Sequence, residues 1–136
     1  NLSSYFVVEI DIALEETDSV MPSLSLYDCE ENQKKECSIT TDVFNKVSWI
    51  LLEDPEGKIQ FTIEANEVPG LIVVPVYGMC KKETETVEQR IHGVRMFFYW
   101  KADLNPNYET EKMLFLKIKN RKASRTAASA TTVRAD

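Results

Sequence analysis

The chain is poor in the residues from which active sites are most often built. It holds a single histidine, His92, with four glycines and three cysteines in 136 residues. Histidine is the commonest general base near neutral pH, and one copy cannot furnish a His-rich metal site. A Cys–His nucleophilic pair needs His92 beside Cys29, Cys37 or Cys80 and a third group to orient it. No local signature around those cysteines supplies one. His92 is therefore expected as a surface histidine just ahead of a strand. Without a C-x-x-C pair there is no zinc signal. The glycines are expected outside the regular interior of any strand, where none builds a phosphate-cradling loop. The longest apolar run, Leu71 to Tyr77, falls far short of the ~20 residues that span a bilayer. The chain opens on Asn1 with no initiator Met, basic n-region or h-region, so a processed or excised piece is expected.

Carboxylates are plentiful, yet none forms a recognisable set. Glu9 and Asp11 lie two apart on one outward strand face, and Glu30, Glu31, Glu83, Glu85 and Glu88 read as solvated loop residues. Calcium needs alternating oxygen ligands and a glycine at the sharp turn. Asp28-Cys29-Glu30-Glu31-Asn32 has the oxygens and neither the alternation nor the glycine. No metal and no cofactor is expected.

What the chain does have is a period of two. In Lys58-Ile59-Gln60-Phe61-Thr62-Ile63-Glu64-Ala65 every second residue is apolar, the pattern of a half-buried strand whose side chains alternate between faces. Similar runs predict strands at Tyr5–Leu14, Ser23–Tyr27, Val94–Lys101 and Met113–Lys119; Val47–Leu52, apolar on both faces, and Leu71–Tyr77, apolar throughout, predict two more, with a weaker one at Cys37–Thr40. Pro75 removes one ladder donor, so the second half of its run should be an edge or a bulge. Asp54-Pro55-Glu56-Gly57 carries type I turn preferences, Pro69-Gly70 those of a type II turn, and Asn105-Pro106-Asn107 another turn. Thr41–Lys46 could form one helical turn capped by Asp42, and Lys82–Ile91 a long loop or short helix. Eight strands with hairpin-length links predict an all-β antiparallel sandwich, jelly-roll-like rather than immunoglobulin-like.

Composition is that of an ordinary globular domain, 43% apolar and 28% charged. The net charge of −6 is unevenly spread. Residues 1–111 carry nine Lys/Arg against 21 Asp/Glu, or −12, and residues 112–136 carry seven against one, or +6. The expected organisation is a sandwich over 1–119 and a basic, Ala/Ser/Thr-rich arm over 120–136. The arm lacks apolar periodicity and alone in water should be disordered. Lys117, Lys119, Arg121, Lys122 and Arg125 cluster within nine residues, suited to a polyanion or to a neighbour's acidic face. Arg121-Lys122-Ala123-Ser124 also matches a basophilic kinase site, and Asn1-Leu2-Ser3 a glycosylation sequon, both short enough to match by chance.

Two further features bear on partners. Cys29 and Cys37 flank seven polar residues, and two readings stand: a disulfide across a hairpin loop, or three reduced thiols. Trp49 reads as core. In Val94–Lys101, Arg95, Phe97, Tyr99 and Lys101 share the face opposite Val94, Met96, Phe98 and Trp100. That face is either a contact surface framed by two cations or is covered by a second sheet or loop. The leading reading is a non-enzymatic, self-assembling structural subunit, with a viral coat or coat-protrusion jelly roll as its concrete form. It would form a homo-oligomer or bind a protein partner, with nucleic-acid contact through the arm and no membrane span. The alternative is a recognition module excised from a secreted or cell-surface protein. Virion or extracellular placement is favoured over cytoplasmic.

Overall fold

The computed structural model describes residues 3–14, 22–54, 59–81, 87–120 and 130–135. These form ten strands and no helix: β1 (Ser3–Ala13), β2 (Ser23–Asp28), β3 (Gln33–Ser38), β4 (Asp42–Phe44), β5 (Val47–Glu53), β6 (Ile59–Ala65), β7 (Gly70–Lys81), β8 (Val87–Asp103), β9 (Leu114–Asn120) and β10 (Ala130–Ala135). No helix among them is long and apolar enough to cross a membrane. Two antiparallel sheets result, one of four strands in the order β1-β8-β7-β4 and one of six in the order β10-β9-β6-β5-β2-β3. The protein is an all-β sandwich.

The alternation read from the sequence is what closes the two layers. Inward rows such as Val8–Phe98–Leu71–Phe44 on the first sheet meet Leu26–Ile50–Ile63–Leu116 on the second. Leu24, Leu26, Leu52, Leu71, Val94, Met96 and Phe98 are at most 1% exposed and belong to one contiguous core. Each fully buried side chain of that size contributes about 1.5–3 kcal/mol relative to exposure, so the inward rows carry the stability.

Several expectations are corrected. Thr41–Lys46 is no helical turn: Asp42–Phe44 pairs with β7, and Phe44 enters the core where a helix would carry it away. Lys82–Ile91 ends in strand from Val87 onward, while 82–86 lie outside the described residues. The weak strand at Cys37–Thr40 lies earlier, at Gln33–Ser38. Pro69-Gly70 makes no type II turn. The bend falls at Asn66 and Glu67, and Gly70 already opens β7. Gly78 and Gly93 sit inside strands, where a Cβ would strike the His92 ring and the Ile12 carbonyl oxygen respectively. His92 is thus a half-buried residue within β8 and not a surface residue before it. Trp49 is half-buried on the outer face of the six-stranded sheet, because Ile50 and Leu52 take the inward positions.

Cys29 and Cys37 are both free thiols. Asp28 pairs with Gln33, and Cys37 lies opposite Leu24. Four residues of strand, roughly 13 Å, separate those levels, and a bridge tolerates about 7 Å between Cα atoms. Burial, with the Asp42 charge added, pushes the Cys37 thiol pKa up and keeps it protonated. The side chain of Cys80 lies outside the described residues.

Residues 130–135 do not extend from the body; they pair antiparallel with β9 as the sixth strand of its sheet. The β9 edge supplies the backbone partners that the arm's own sequence does not encode. The boundary at 119 therefore cuts through β9, which ends at Asn120. Arg121, Lys122, Arg125, the kinase-like site, Asn1 and Leu2 of the sequon, and Pro55-Glu56-Gly57 of the first turn lie outside the described residues. The Asn105-Pro106-Asn107 turn is present. Tyr108 N donates to Asn105 O at 3.2 Å, and Asn107 adopts φ 66°, the left-handed conformation that asparagine tolerates. As Pro75 led one to expect, β7 carries a register shift at Val76/Tyr77, and its pairing with β4 stops at Val73.

Candidate functional site: the outer face of the four-stranded sheet

The register sets four rows on the outward face of this sheet. They are Tyr5–Lys101, Val7–Tyr99–Gly70, Glu9–Phe97–Ile72–Val43 and Asp11–Arg95–Val74. Arg95, Phe97, Tyr99 and Lys101 share the face, as their alternation requires. Tyr5, Val7, Ile72, Val43 and Val74 join them from the neighbouring strands. Tyr5, Val7 and Val43 are 64%, 51% and 56% exposed, and among the described residues no element lies over them. The apolar residues are contiguous, whereas a solvated sheet face normally alternates to polar.

Tyr99 shapes the surface. Its ring lies flat across Gly70, where even a methyl group would overlap it. Its hydroxyl donates to the Phe44 carbonyl oxygen at 3.3 Å, and the Tyr5 ring meets it edge-on at 5.8 Å and 80°. Burial first, then the neighbouring Tyr5 and Glu30, raises the Tyr99 pKa, so the hydroxyl stays a donor. The lowered ring leaves a shallow concavity of about 310 Å³ lined by Tyr5, Val7, Ile72, Phe97 and Tyr99.

Charge lies at the two ends and, through Glu9, on the β1 margin beside Phe97. Arg95 Nε lies 3.0 Å from Asp11 Oδ1 and 3.1 Å from Glu9 Oε1. The Asp11 hydrogen bond, then the Asp11 and Glu9 charges, holds the guanidinium still more firmly protonated. With side chains 44–51% exposed, these contacts fix position more than they add stability. One cation between two carboxylates leaves that end at −1, so Arg95 does not frame the face as a free positive charge. Lys101, at the other end, is exposed and makes no ion pair among the described residues.

The remaining predicted residues lie elsewhere. Lys117 and Lys119 point outward from β9, opposite Thr62 and Gln60, on the far side of the sandwich. The acidic hairpin Asp28–Asn32 is organised by Lys35, which bonds Asp28 at 3.0 Å and Glu31 at 2.9 Å, while Asp28 also accepts from Glu30 N. Among the described residues no three His, Cys, Asp or Glu side chains are grouped to hold a metal ion. Comparison with protein-family models, curated proteins and solved structures finds no significant match to this chain.

Proposed function

We propose that this protein is a non-enzymatic β-sandwich that works by protein–protein contact through the outer face of its four-stranded sheet. The observation that carries this reading is the unbroken apolar stretch from Val7 through Phe97 and Ile72 to Val43, exposed yet shaped by Gly70 and Tyr99. Interfaces place aromatic and apolar residues at the centre and charge at the rim, and this face has that arrangement. An assembly subunit and a recognition module both use such a surface. An arm reaching a neighbour has less support, since β10 completes its own sheet.

The test uses an apolar fluorophore, bis-ANS, on dilute native protein. The wild type should bind it, and Val7→Glu and Val43→Glu should each lose most of the signal while Tm moves by no more than about 2 °C. Thr62→Glu, on the opposite sheet, should leave binding unchanged. Probe binding unaffected by Val7→Glu and Val43→Glu would contradict the assignment of the face.

A further inference from the structure

We propose a further contact surface, independent of the outer face: the free edge of β1 pairs antiparallel with the β1 edge of a second copy, joining their two four-stranded sheets. β1 stands at the end of its sheet, and among the described residues no strand lies beyond it. Its 11 residues pair with β8 in one unbroken register. Leu14 N donates to the His92 carbonyl oxygen at 2.8 Å, which continues that register by one step. The even-numbered residues of β1 therefore turn their amides and carbonyls toward β8. Ser3, Tyr5, Val7, Glu9, Asp11 and Ala13 turn theirs to the open edge, half of a ladder roughly 35 Å long. β1 has no proline, glycine, lysine or bulge to discourage pairing, and its acids Glu9 and Asp11 are held by Arg95 of the neighbouring strand.

The strand matches itself in one register. A two-fold axis normal to the sheet at Val8 pairs all 11 residues and keeps outward side chains beside outward ones. Tyr5 then lies opposite Asp11, Val7 opposite Glu9, Phe6 opposite Ile10 and Val8 opposite Val8. Moving the axis to residue 9 or 10 sets Glu9 on Glu9 or on Asp11, and like charges directly opposite destabilise a ladder. Moving it toward Ser3 shortens the ladder by two residues a step. With the axis at Val8 the nearest like charges are the two Glu9 on a diagonal, about 7–8 Å apart. Each of them lies 3.1 Å from its own Arg95.

The inward row of β1 points to the same occupant. Ile12 is 7% exposed and Val8 and Ile10 are half-buried, yet Phe6, on the same side and opposite Trp100, is 44% exposed. The strand is covered at its Ile12 end and open at its Phe6 end. Under the two-fold each open end lies beside the covered end of the other copy, and Phe6 gains Ile10 as a cross-strand neighbour, an aromatic–β-branched pair. A second copy supplies that complement by symmetry.

Sedimentation equilibrium and a cross-link test the edge. The wild type should show a reversible monomer–dimer equilibrium. Val7→Pro should weaken it by about tenfold or more, because each copy loses an amide that donates beside the axis. No bond to β8 is lost with it, since the Val7 amide faces the open edge. Val43→Glu, at the far edge of the outer face, should leave the association unchanged. Val8→Cys should give a disulfide-linked dimer under mild oxidation that yields none from the wild type. Position 8 meets its own mate across a non-hydrogen-bonded pair, with Cα atoms about 4.5 Å apart. Ile10→Cys should not cross-link, because its two copies lie about 14 Å apart. A wild type that stays monomeric up to millimolar concentration would overturn the second copy as occupant. Association lost in Val43→Glu, or untouched in Val7→Pro, would overturn the edge. Cross-linking as ready in Ile10→Cys as in Val8→Cys would overturn the axis at Val8. If Val7→Pro fails to fold, the two cysteine variants decide.

Discussion

The two outer faces of the sandwich are built by the same rule and come out differently. On the six-stranded sheet each apolar residue has a polar neighbour: Leu51 stands between Ser25 and Thr62, and Trp49 opposite Glu64. On the four-stranded sheet Phe97, Ile72 and Val43 adjoin one another, and polar residues are pushed to the ends. Period-two alternation secures the inward rows of both sheets, so it leaves the outward rows free to be solvated or sticky. The difference between them is not needed for folding. That surplus of apolar surface on one side is what points to a partner.

The edges tell a related story. Exposed strand edges invite pairing with other chains, and sequences blunt them with short strands, prolines, bulges and inward charges. Here β4 has three residues, β7 carries Pro75 and a register shift, and edge strand β3 turns Lys35 inward to Asp28 and Glu31. These devices act at the β4 and β3 edges and where β7 runs beyond β4.

The largest effect belongs to the inward rows: Phe98→Ala should cost about 3–5 kcal/mol in urea unfolding. Gly70→Val should cost about 1–3 kcal/mol, because the added side chain drives the Tyr99 ring off its seat and breaks its bond to Phe44. It should also reshape the concavity and reduce bis-ANS binding; a wild-type Tm would show that the ring does not need that seat. A pH-dependent effect follows at the β2–β3 hairpin. The Lys35 hydrogen bond, with help from the Glu30 and Glu31 backbone amides, holds the Asp28 pKa below its ordinary value. A carboxyl depressed in the folded state contributes stability that is present above its unfolded pKa of about 3.9 and lost as pH falls through the folded value. Asp28→Asn should therefore lower Tm at neutral pH and flatten its fall below about pH 4, while parallel wild-type and variant curves would contradict this. The smallest effect belongs to the outward face. Val43→Thr should change stability by less than about 0.5 kcal/mol, and a cost comparable to that of Phe98→Ala would place Val43 in the core.

Five strands were legible in the sequence, β1, β2, β6 and β9 by their alternation and β5 as a run apolar on both faces, and all fall within two residues of their expected bounds. The misses share a cause. β3 is an edge strand whose residues bury little and leave no apolar period; β10 is an edge strand whose sequence carries no apolar period, and its order comes from pairing with the β9 backbone. β4 is too short to show any period. At Gly70 turn chemistry suggested a bend, while the glycine is needed to seat an aromatic ring from the next strand, a demand that only the register reveals. The candidate face was legible by half. Arg95, Phe97, Tyr99 and Lys101 alternate within one strand, whereas Ile72 and Val74 sit in a run apolar on both sides, and Tyr5 and Val7 precede the acids on β1. The signal that could have found them is an apolar residue on the nominally polar side of adjacent strands. The salt bridges from Arg95 to Glu9 and Asp11 required the β1–β8 register.

Amide NMR of the dilute wild-type protein titrated with bis-ANS decides between the two faces most directly, because it reads both at once. Probe-dependent shifts should be confined to the outward residues of β1, β4, β7 and β8, with Val7, Ile72, Val43 and Phe97 moving most and Trp49, Leu51 and Thr62 still. Shifts centred on Trp49, Leu51 and Thr62, or no shifts anywhere, would contradict the assignment of the contact face to the four-stranded sheet.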